Sequence, residues 1–376
     1  MKIAIIGSRG YPYVYSGYET FVKEVAERFV SQGIEVHVYC HKNLFDSFPK
    51  IVNGVHLHYV PTIEKKSLSQ LVHSFLSFTH ALFKSYDVWL VVNAANGPLG
   101  IIPKLMGIKT MINVDGLEWL RPKWKGLGAK YFHFAAKMST RLYDLIITDA
   151  DEMRKVYLDE FGKDSKVIAY GAPTVKDSDE TLLSKWGLMN QEYYLIVGRL
   201  IPDNNADLIV KGFLKHPSSK KLVIVGDVPY ADEYADGLKK LKSENLIFPG
   251  YITDNTELIT LFKHCFVYIH GHKYGGTNPT MLYAMACNCA IMALNTPFNR
   301  EMLDNKFGTF FDENQQAVTD AMTLLEKDND LVSHLRSHVS EGLTEKYNWD
   351  SVAQSYINEM NKLLSNNKTA VLPEEK

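Results

Sequence analysis

The chain has 376 residues, is 46% hydrophobic and 22% charged, and carries a formal net charge of −2. That length fits two domains with a sizeable core, and the near-neutral charge excludes a dedicated nucleic-acid binder, whose domain would be basic. Cys40, Cys265, Cys287 and Cys289 sit in apolar runs without C-x-x-C spacing, which excludes a disulfide framework or zinc ribbon and predicts a reducing cytoplasm.

The opening residues MKIAIIGSRG reach Gly and Arg after a short apolar run, so they read as a first strand over Lys2–Ile6 and not as a signal peptide. No apolar run is long enough to predict a membrane-spanning helix. A glycine- and tyrosine-rich loop (residues 7–17) follows, then a helix over 19–32 with apolar positions at Phe21, Val22, Val25, Ala26, Phe29 and Val30, stopped by Gly33. A second strand is predicted over 36–39. This β-loop-α-β unit opens a doubly wound α/β domain, in which ligands sit beyond the C-terminal ends of the strands. A dinucleotide oxidoreductase is disfavoured because the loop lacks G-x-G-x-x-G and the second strand ends in Cys40-His41, where a ribose-binding acid is expected.

Further strands are predicted over Val55–Val60, Val88–Val92, 110–114 and Leu145–Thr148, with a helix over 65–86. Between Trp119 and Tyr143 there are six Lys or Arg and no acid, interleaved with aromatics. Lys123, Trp124, Lys125 and Lys130 of that segment are candidates for a patch that lies on an anionic membrane surface or grips a phosphorylated acceptor; a solvated helix face is the plainer alternative. Residues 167–173 read as the last strand of this half and a hinge.

A second α/β half is expected from strands over Tyr193–Val197, Lys221–Val225, 246–248 and 265–269, with helices over 207–215 and 256–264. The stretch YIHGHKYGGTNPTMLYAMACNCA (268–290) is the candidate ligand-binding element; a strand–turn–helix crossover with no ligand is the plainer alternative. A buried strand runs into a Gly-rich loop and then a helix with Asn278 as N-cap and Pro279 in its first turn. Gly275 and Gly276 leave backbone bare for a ligand, and the exposed N–H groups of a helix start favour an anion, most often phosphate. Helices are predicted over 317–326, 331–347 and 349–364, and a polar, disordered tail over 365–376.

These residues resemble a family. SGYE (16–19), VGRL (197–200), the Gly250-Tyr251 turn and GGTNP followed by a helix ending AMAC look like a retaining GT-B glycosyltransferase of family 4, the glycosyl transferases group 1. The pieces GSRGYPYVYSGYETFVKEVAERF (7–29), NVDGLEWLRPKW (113–124) and HGHKYGGTNP (270–279) resemble its bacterial rhamnosyltransferase-type branch. The resemblance implies an α/β GT-B fold, two Rossmann-like doubly wound domains facing a cleft. The domains would be 1–172 with a crossing helix at 349–365 for the acceptor, and 173–348 for the nucleotide-sugar donor, leaving 366–376 as tail.

It also implies roles. Arg199 would face the donor diphosphate, for which a guanidinium offers a fixed fork of donors. Gly17 would approach the diphosphate with bare backbone. Gly275, Gly276, Thr277 and Asn278 would offer donors to phosphate or sugar, and Tyr251 and Ile252 would border the base. Asp115 falls where many relatives carry a histidine near the reacting sugar, with Glu118 in the same loop; with Arg199 they are candidate catalytic residues, against the plainer alternatives of loop caps for the two acids and a surface ion pair for Arg199.

Two departures stand out. Asn204-Asn205 stand where the family commonly has Lys a few residues after the Arg of the GR turn. Tyr283 replaces the Glu that binds the ribose hydroxyls, and a phenol cannot offer the bidentate carboxylate that two neighbouring hydroxyls favour. Deoxyribose loses less from that change, which is compatible with a thymidine-linked donor. The expectation is therefore a cytoplasmic glycosyltransferase, peripheral on the inner face of the plasma membrane. It would use a nucleotide-diphosphate sugar, with dTDP-rhamnose a candidate, and no metal or other cofactor. The acceptor would be a lipid-linked glycan in surface polysaccharide synthesis, and the reaction would proceed with retention. The alternatives are a non-catalytic nucleotide-sugar-binding paralogue with a degenerate donor site, and a nucleotide-sugar epimerase on the same scaffold.

Overall fold

The computed structural model describes residues 1–12, 17–63, 69–122, 124, 126–228, 232–241 and 243–365. The chain divides into two compact units: residues 1–170 together with the chain from Lys346 onward, and residues 171–345.

The first unit holds an eight-stranded sheet. Its strands are β1 (Lys2–Ile6), β2 (Glu35–His41), β3 (Ile51–Val52), β4 (Val55–Val60), β5 (Val88–Val92), β6 (Lys109–Val114), β7 (Leu145–Thr148) and β8 (Lys166–Val167). The order is β3-β4-β2-β1-β5-β6-β7-β8, parallel except for the short β3. Strands such as β5, VWLVV, are apolar throughout because both faces are covered. The chain winds outward from β1 in both directions, so the ends of β1 and β5 mark a topological switch point. Gly7 ends β1 with φ +107°, and a Cβ there would lie 2.3 Å from the Val92 carbonyl oxygen.

The last helix, Trp349–Ser365, belongs to this unit. Asn113 Nδ2 donates to the Tyr356 hydroxyl at 2.7 Å, the Tyr356 ring packs 5.2 Å from Phe21, and Arg28 Nε donates to Asp350 at 2.6 Å.

The second unit holds six parallel strands: β9 (Tyr193–Val197), β10 (Lys221–Val225), β11 (Leu246–Gly250), β12 (Val267–His270), β13 (Ile291–Leu294) and β14 (Thr309–Phe311). Their order is β11-β10-β9-β12-β13-β14, so the winding reverses between β9 and β12. Ile196, Leu222, Ile224, Ile269 and Met292 form a core with Ile209 and Val210 of the helix Ala206–Phe213 and Val318 and Met322 of the helix Gln315–Lys327. Each unit is thus a Rossmann-like doubly wound sheet.

Several expectations change. The strand expected over 167–173 is only Lys166–Val167: Ile168 N still donates to the Thr148 carbonyl, but the chain then leaves the sheet toward Pro173, which has no N–H to pair. The helix expected over 331–347 breaks into Asn329–His338 and the 3₁₀ turns Val339–Gly342 and Glu345–Tyr347. Gly342 sits where a Cβ would lie 2.7 Å from Met285 Cε and 2.8 Å from Phe307, so the break follows packing. The helix expected over 65–86 spans Ser69–Ala81, residues 64–68 lying outside the described ones. Ser365, expected to open the tail, is the last residue of the final helix, and the rest of the expected tail, 366–376, lies outside the described residues. Strands β13 and β14 and the helices Asp151–Phe161, Glu233–Lys239 and Pro297–Met302 are additions to the predicted set.

Candidate functional site

In the second unit the switch point lies where β9 and β12 end. After β9 come Gly198 and Arg199; after β12 comes the loop 271–278, which enters the helix Pro279–Ala286. Bare backbone lets these strand ends crowd together. A Cβ on Gly226 (φ +134°) would lie 1.9 Å from the Gly198 carbonyl oxygen, and one on Gly271 would lie 2.3 Å from that of Asn204.

Asn204 ties the two loops. Its Nδ2 donates to the Arg199 carbonyl at 2.7 Å, which leaves Oδ1 to accept from His272 Nδ1 at 2.7 Å. Asn205, in the left-handed region at φ +52°, donates from Nδ2 to the Gly271 carbonyl at 2.9 Å, and Lys273 N donates to the Asp203 carbonyl at 3.0 Å. Asn299 Nδ2 holds the His272 carbonyl at 3.0 Å from the far side. The loop after β9 is therefore fixed to the loop after β12 without using the Arg199 side chain. That guanidinium is exposed and has no hydrogen bond or ion pair among the described residues.

Asn278 is the helix N-cap expected from sequence: Oδ1 accepts from Thr280 N at 3.0 Å and Thr280 Oγ1 at 2.7 Å. Gly275 takes φ +128°, and Gly276 and Thr277 are buried just ahead of the cap. The Tyr283 hydroxyl donates to Asn255 Oδ1 at 3.3 Å, and its ring stacks on Phe262 with centroids 6.0 Å apart. Asn255 begins the helix that follows the Tyr251-Ile252 turn, so Tyr283 stands beside that turn, where Tyr251 is 73% exposed. His270, at the end of β12, is buried with Nδ1 against the Tyr268 hydroxyl at 2.9 Å, and burial pushes its pKa down to about 3, so it is neutral at physiological pH. Sequence reading noted Asn205 only beside Asn204, as a departure from the family's Lys, and gave His270 no role because it looks like a strand end.

In the first unit, Asp115 follows β6. Its Oδ2 accepts from the Tyr170 hydroxyl at 3.0 Å, and its backbone N–H donates to the Tyr18 hydroxyl at 3.2 Å. Desolvation and the neighbouring Asp115 keep the Tyr18 phenol well above its ordinary pKa. Asp149, fully buried after β7, adds negative charge to the same cluster of tyrosines. Sequence reading missed Tyr18, Asp149 and Tyr170, which only the fold gathers. Glu118 accepts from Trp124 Nε1 at 2.7 Å and pairs with Arg121 Nε at 3.1 Å. Gly17 begins the helix Gly17–Ser31. Trp124 is half-buried and Lys130 exposed, whereas Lys123 and Lys125 lie outside the described residues. Among the described residues, the group of His, Cys, Asp or Glu side chains close enough to hold a metal is Glu35, His37 and His56, in the first unit.

Comparison with known proteins adds family matches for parts of the chain. Residues 178–341 match the glycosyl transferases group 1 family, and residues 1–53 and 100–173 match a domain of unknown function, DUF1972. A probable sucrose-phosphate synthase of Thermosipho melanesiensis is 24% identical over 53% of this chain and 45% of its own length. An N-acetylgalactosaminyltransferase of Campylobacter jejuni, acting on an N-acetylgalactosamine-N,N'-diacetylbacillosaminyl-diphospho-undecaprenol, is 25% identical over 43% of this chain and 44% of its own. The matches thus span less than half of those relatives. In three dimensions, a sucrose-phosphate synthase from Thermosynechococcus elongatus superposes with TM-score 0.79 at 15% identity, over 97% of this chain and 99% of its own. Anabaena HepE, solved in complex with UDP-glucose, superposes with TM-score 0.76 at 15% identity over 96% of this chain and 100% of its own. The chain has the GT-B fold, and its residues 178–341 match the glycosyl transferases group 1 family.

Proposed function

We propose that the protein is a retaining glycosyltransferase of the family 4, rhamnosyltransferase-type branch, moving a sugar from a nucleotide-diphosphate donor to a lipid-linked glycan in surface polysaccharide synthesis. The observation that carries this reading is the stitched pair of loops around Asn204. They hold bare backbone and the helix start at Asn278 and Pro279 in fixed register, and leave the Arg199 guanidinium free of protein partners among the described residues. A cation and a set of backbone donors held ready are suited to a diphosphate whose negative charge grows as the sugar departs. On this reading the bond from the anomeric carbon to the diphosphate oxygen breaks. The acceptor oxygen bonds to that carbon on the same face, and its proton passes to the leaving diphosphate. No metal takes part. Tyr251, Ile252 and Tyr283 border the nucleoside, and the phenol in place of a carboxylate suits dTDP-rhamnose. Asp115 and Glu118 serve the reacting sugar and acceptor, and Gly17 brings bare backbone to the diphosphate.

Membrane association is supported by the helix Leu127–Leu142, which exposes Leu127 (83%) and Phe134 (50%) next to exposed Lys130, on a helix without acidic residues. The protein would then work at the inner face of the plasma membrane. Charge reversal of Lys123, Lys125 and Lys130 should reduce sedimentation with anionic liposomes; unchanged sedimentation defeats this part of the reading.

The test of the function is product formation. The protein is incubated with dTDP-rhamnose, or UDP- and GDP-sugars, and a lipid-linked oligosaccharide, and the anomeric configuration of the product is read by NMR. Acceptor-dependent release of nucleoside diphosphate with retention is expected. Tyr283 favours one second reading, a degenerate nucleotide-sugar-binding paralogue; donor binding with no turnover would select it.

A further inference from the structure

Six of the thirteen histidines in the chain lie on one face of the first sheet or on the helix over it: His37, His41, His56, His58, His73 and His80. The register of β2 against β4 sets His37 opposite His56 and Tyr39 opposite His58, so alternate residues of two parallel strands bring their side chains to one side. The His37 ring lies nearly parallel to its neighbours, 4.6 Å from His56 and 5.1 Å from His58 between centroids.

The polar contacts are specific. His37 Nε2 and Glu35 Oε1 are 2.9 Å apart, and the other ring nitrogen, Nδ1, is 2.9 Å from His58 Nε2. His58 Nε2 is in turn 3.3 Å from the Tyr86 hydroxyl, which is 3.3 Å from that of Tyr39; Tyr39 meets His80 Nδ1 at 3.0 Å. One donor atom each from Glu35, His37 and His56 lies within 4.8 Å of the others. An ion bonded at roughly 2.0–2.2 Å to each needs them within about 4 Å, which a small side-chain rotation supplies.

We propose that Glu35, His37 and His56 form a binding site for a divalent transition metal of the zinc class, with His58 and Tyr86 as its outer partners. Two imidazoles and a carboxylate on one face are a donor set for such ions and not for calcium or magnesium, which take oxygen ligands. The second nitrogen of His37 meets His58, the arrangement that fixes the tautomer and orientation of a metal-bound imidazole. Glu35 opens the site to solvent, its side chain being 47% exposed; Lys2, 34% exposed and 3.0 Å from the same carboxylate, is a flexible cation that the ion displaces. The site lies at the start of β2, the opposite edge of the sheet from the loops that follow the strands. Its role is therefore to pin β2 to β4 and not to take part in sugar transfer, and the inference does not depend on the function proposed above.

The test uses the full chain without an affinity tag, stripped with chelator, reloaded with Zn²⁺ and desalted. A single retained equivalent by metal analysis and a higher melting temperature, reversed by chelator, are expected. His56→Gln, at a half-buried site, and Glu35→Gln, at an exposed one, should both lose the retained ion. His58→Leu, which removes the partner of His37 Nδ1, should weaken zinc binding by about 10–100-fold. The pair of exposed His334 and half-buried His338, with rings 4.2 Å apart on one helix, is the obvious competing site, so His334→Gln should change nothing. Retention in Glu35→Gln, loss in His334→Gln, or no retained zinc in the wild type overturns the proposal.

Discussion

Arg199→Ala separates a ligand-binding role from a structural one. The loop carrying Arg199 is held by its backbone carbonyl, which accepts from Asn204, and by Asn205 and Asp203 farther along; the guanidinium contributes to none of these bonds. Removing it should leave the stability of the unliganded protein within about 0.5 kcal/mol of wild type, as for surface substitutions generally. With a nucleoside diphosphate the loss is that of a charge-assisted bond, about 1.5–3 kcal/mol, or roughly 10- to 150-fold in Kd. Thermal-shift titrations with dTDP, UDP and GDP read both quantities, since ligand at 100 times its Kd raises stability by about 2.7 kcal/mol. Arg199→Lys, which keeps the charge but loses the planar fork, should fall between. The reasoning is refuted if the alanine variant binds the preferred diphosphate like wild type, or if it melts early without ligand.

On the proposed donor site, Tyr283→Glu places a bidentate carboxylate where the ribose would lie and should tighten UDP by about tenfold or more relative to dTDP, read in the same titrations; an equal effect on both nucleotides removes Tyr283 from the proposed ribose site. Tyr356→Phe leaves the buried Asn113 amide without its 2.7 Å partner and should cost about 1–3 kcal/mol in urea unfolding. Acid should destabilise the fold in a defined window. Burial lowers the pKa of His41 to about 4 and of His73 to about 3, with His41 further disfavoured as a cation by Arg9. The unfolded chain therefore binds protons from about pH 6.5 downward while the folded chain does not. Stability is full above that pH and falls as pH drops toward 4, by up to about 1.4 kcal/mol per unit for each histidine. Urea midpoints between pH 7 and 4.5 check this, and His73→Leu should flatten the slope.

The sequence carried most of the strands because a parallel sheet covered on both faces demands short apolar runs, as in Lys2–Ile6 and Val88–Val92. The helix start at Asn278 and Pro279 was equally readable, since capping is local chemistry. Strand β14 was not: three residues, TFF, give no periodicity to detect. The helix Asp151–Phe161 buries only Met153 and Tyr157, too thin an apolar stripe to stand out. The contents of the sites depend on longer-range geometry. Asp115 could be picked out, but its meeting with Tyr18 and Tyr170, 97 and 55 residues away, depends on which strands become neighbours. The same holds for Asn204, whose two hydrogen bonds are set by the turn after β9 and the loop after β12.

The bond between Asn113 and Tyr356 joins residues 243 positions apart, and the contact between Arg28 and Asp350 spans 322. Every strand of the first sheet leaves the ribosome before the helix that closes over Phe21 and Phe29 has been translated. The second unit, by contrast, is one uninterrupted stretch. Synthesis order and folding order therefore part company here. The half translated first must wait, with apolar surface uncovered, while the half translated second completes itself, and a premature stop near residue 345 would strand the former and spare the latter.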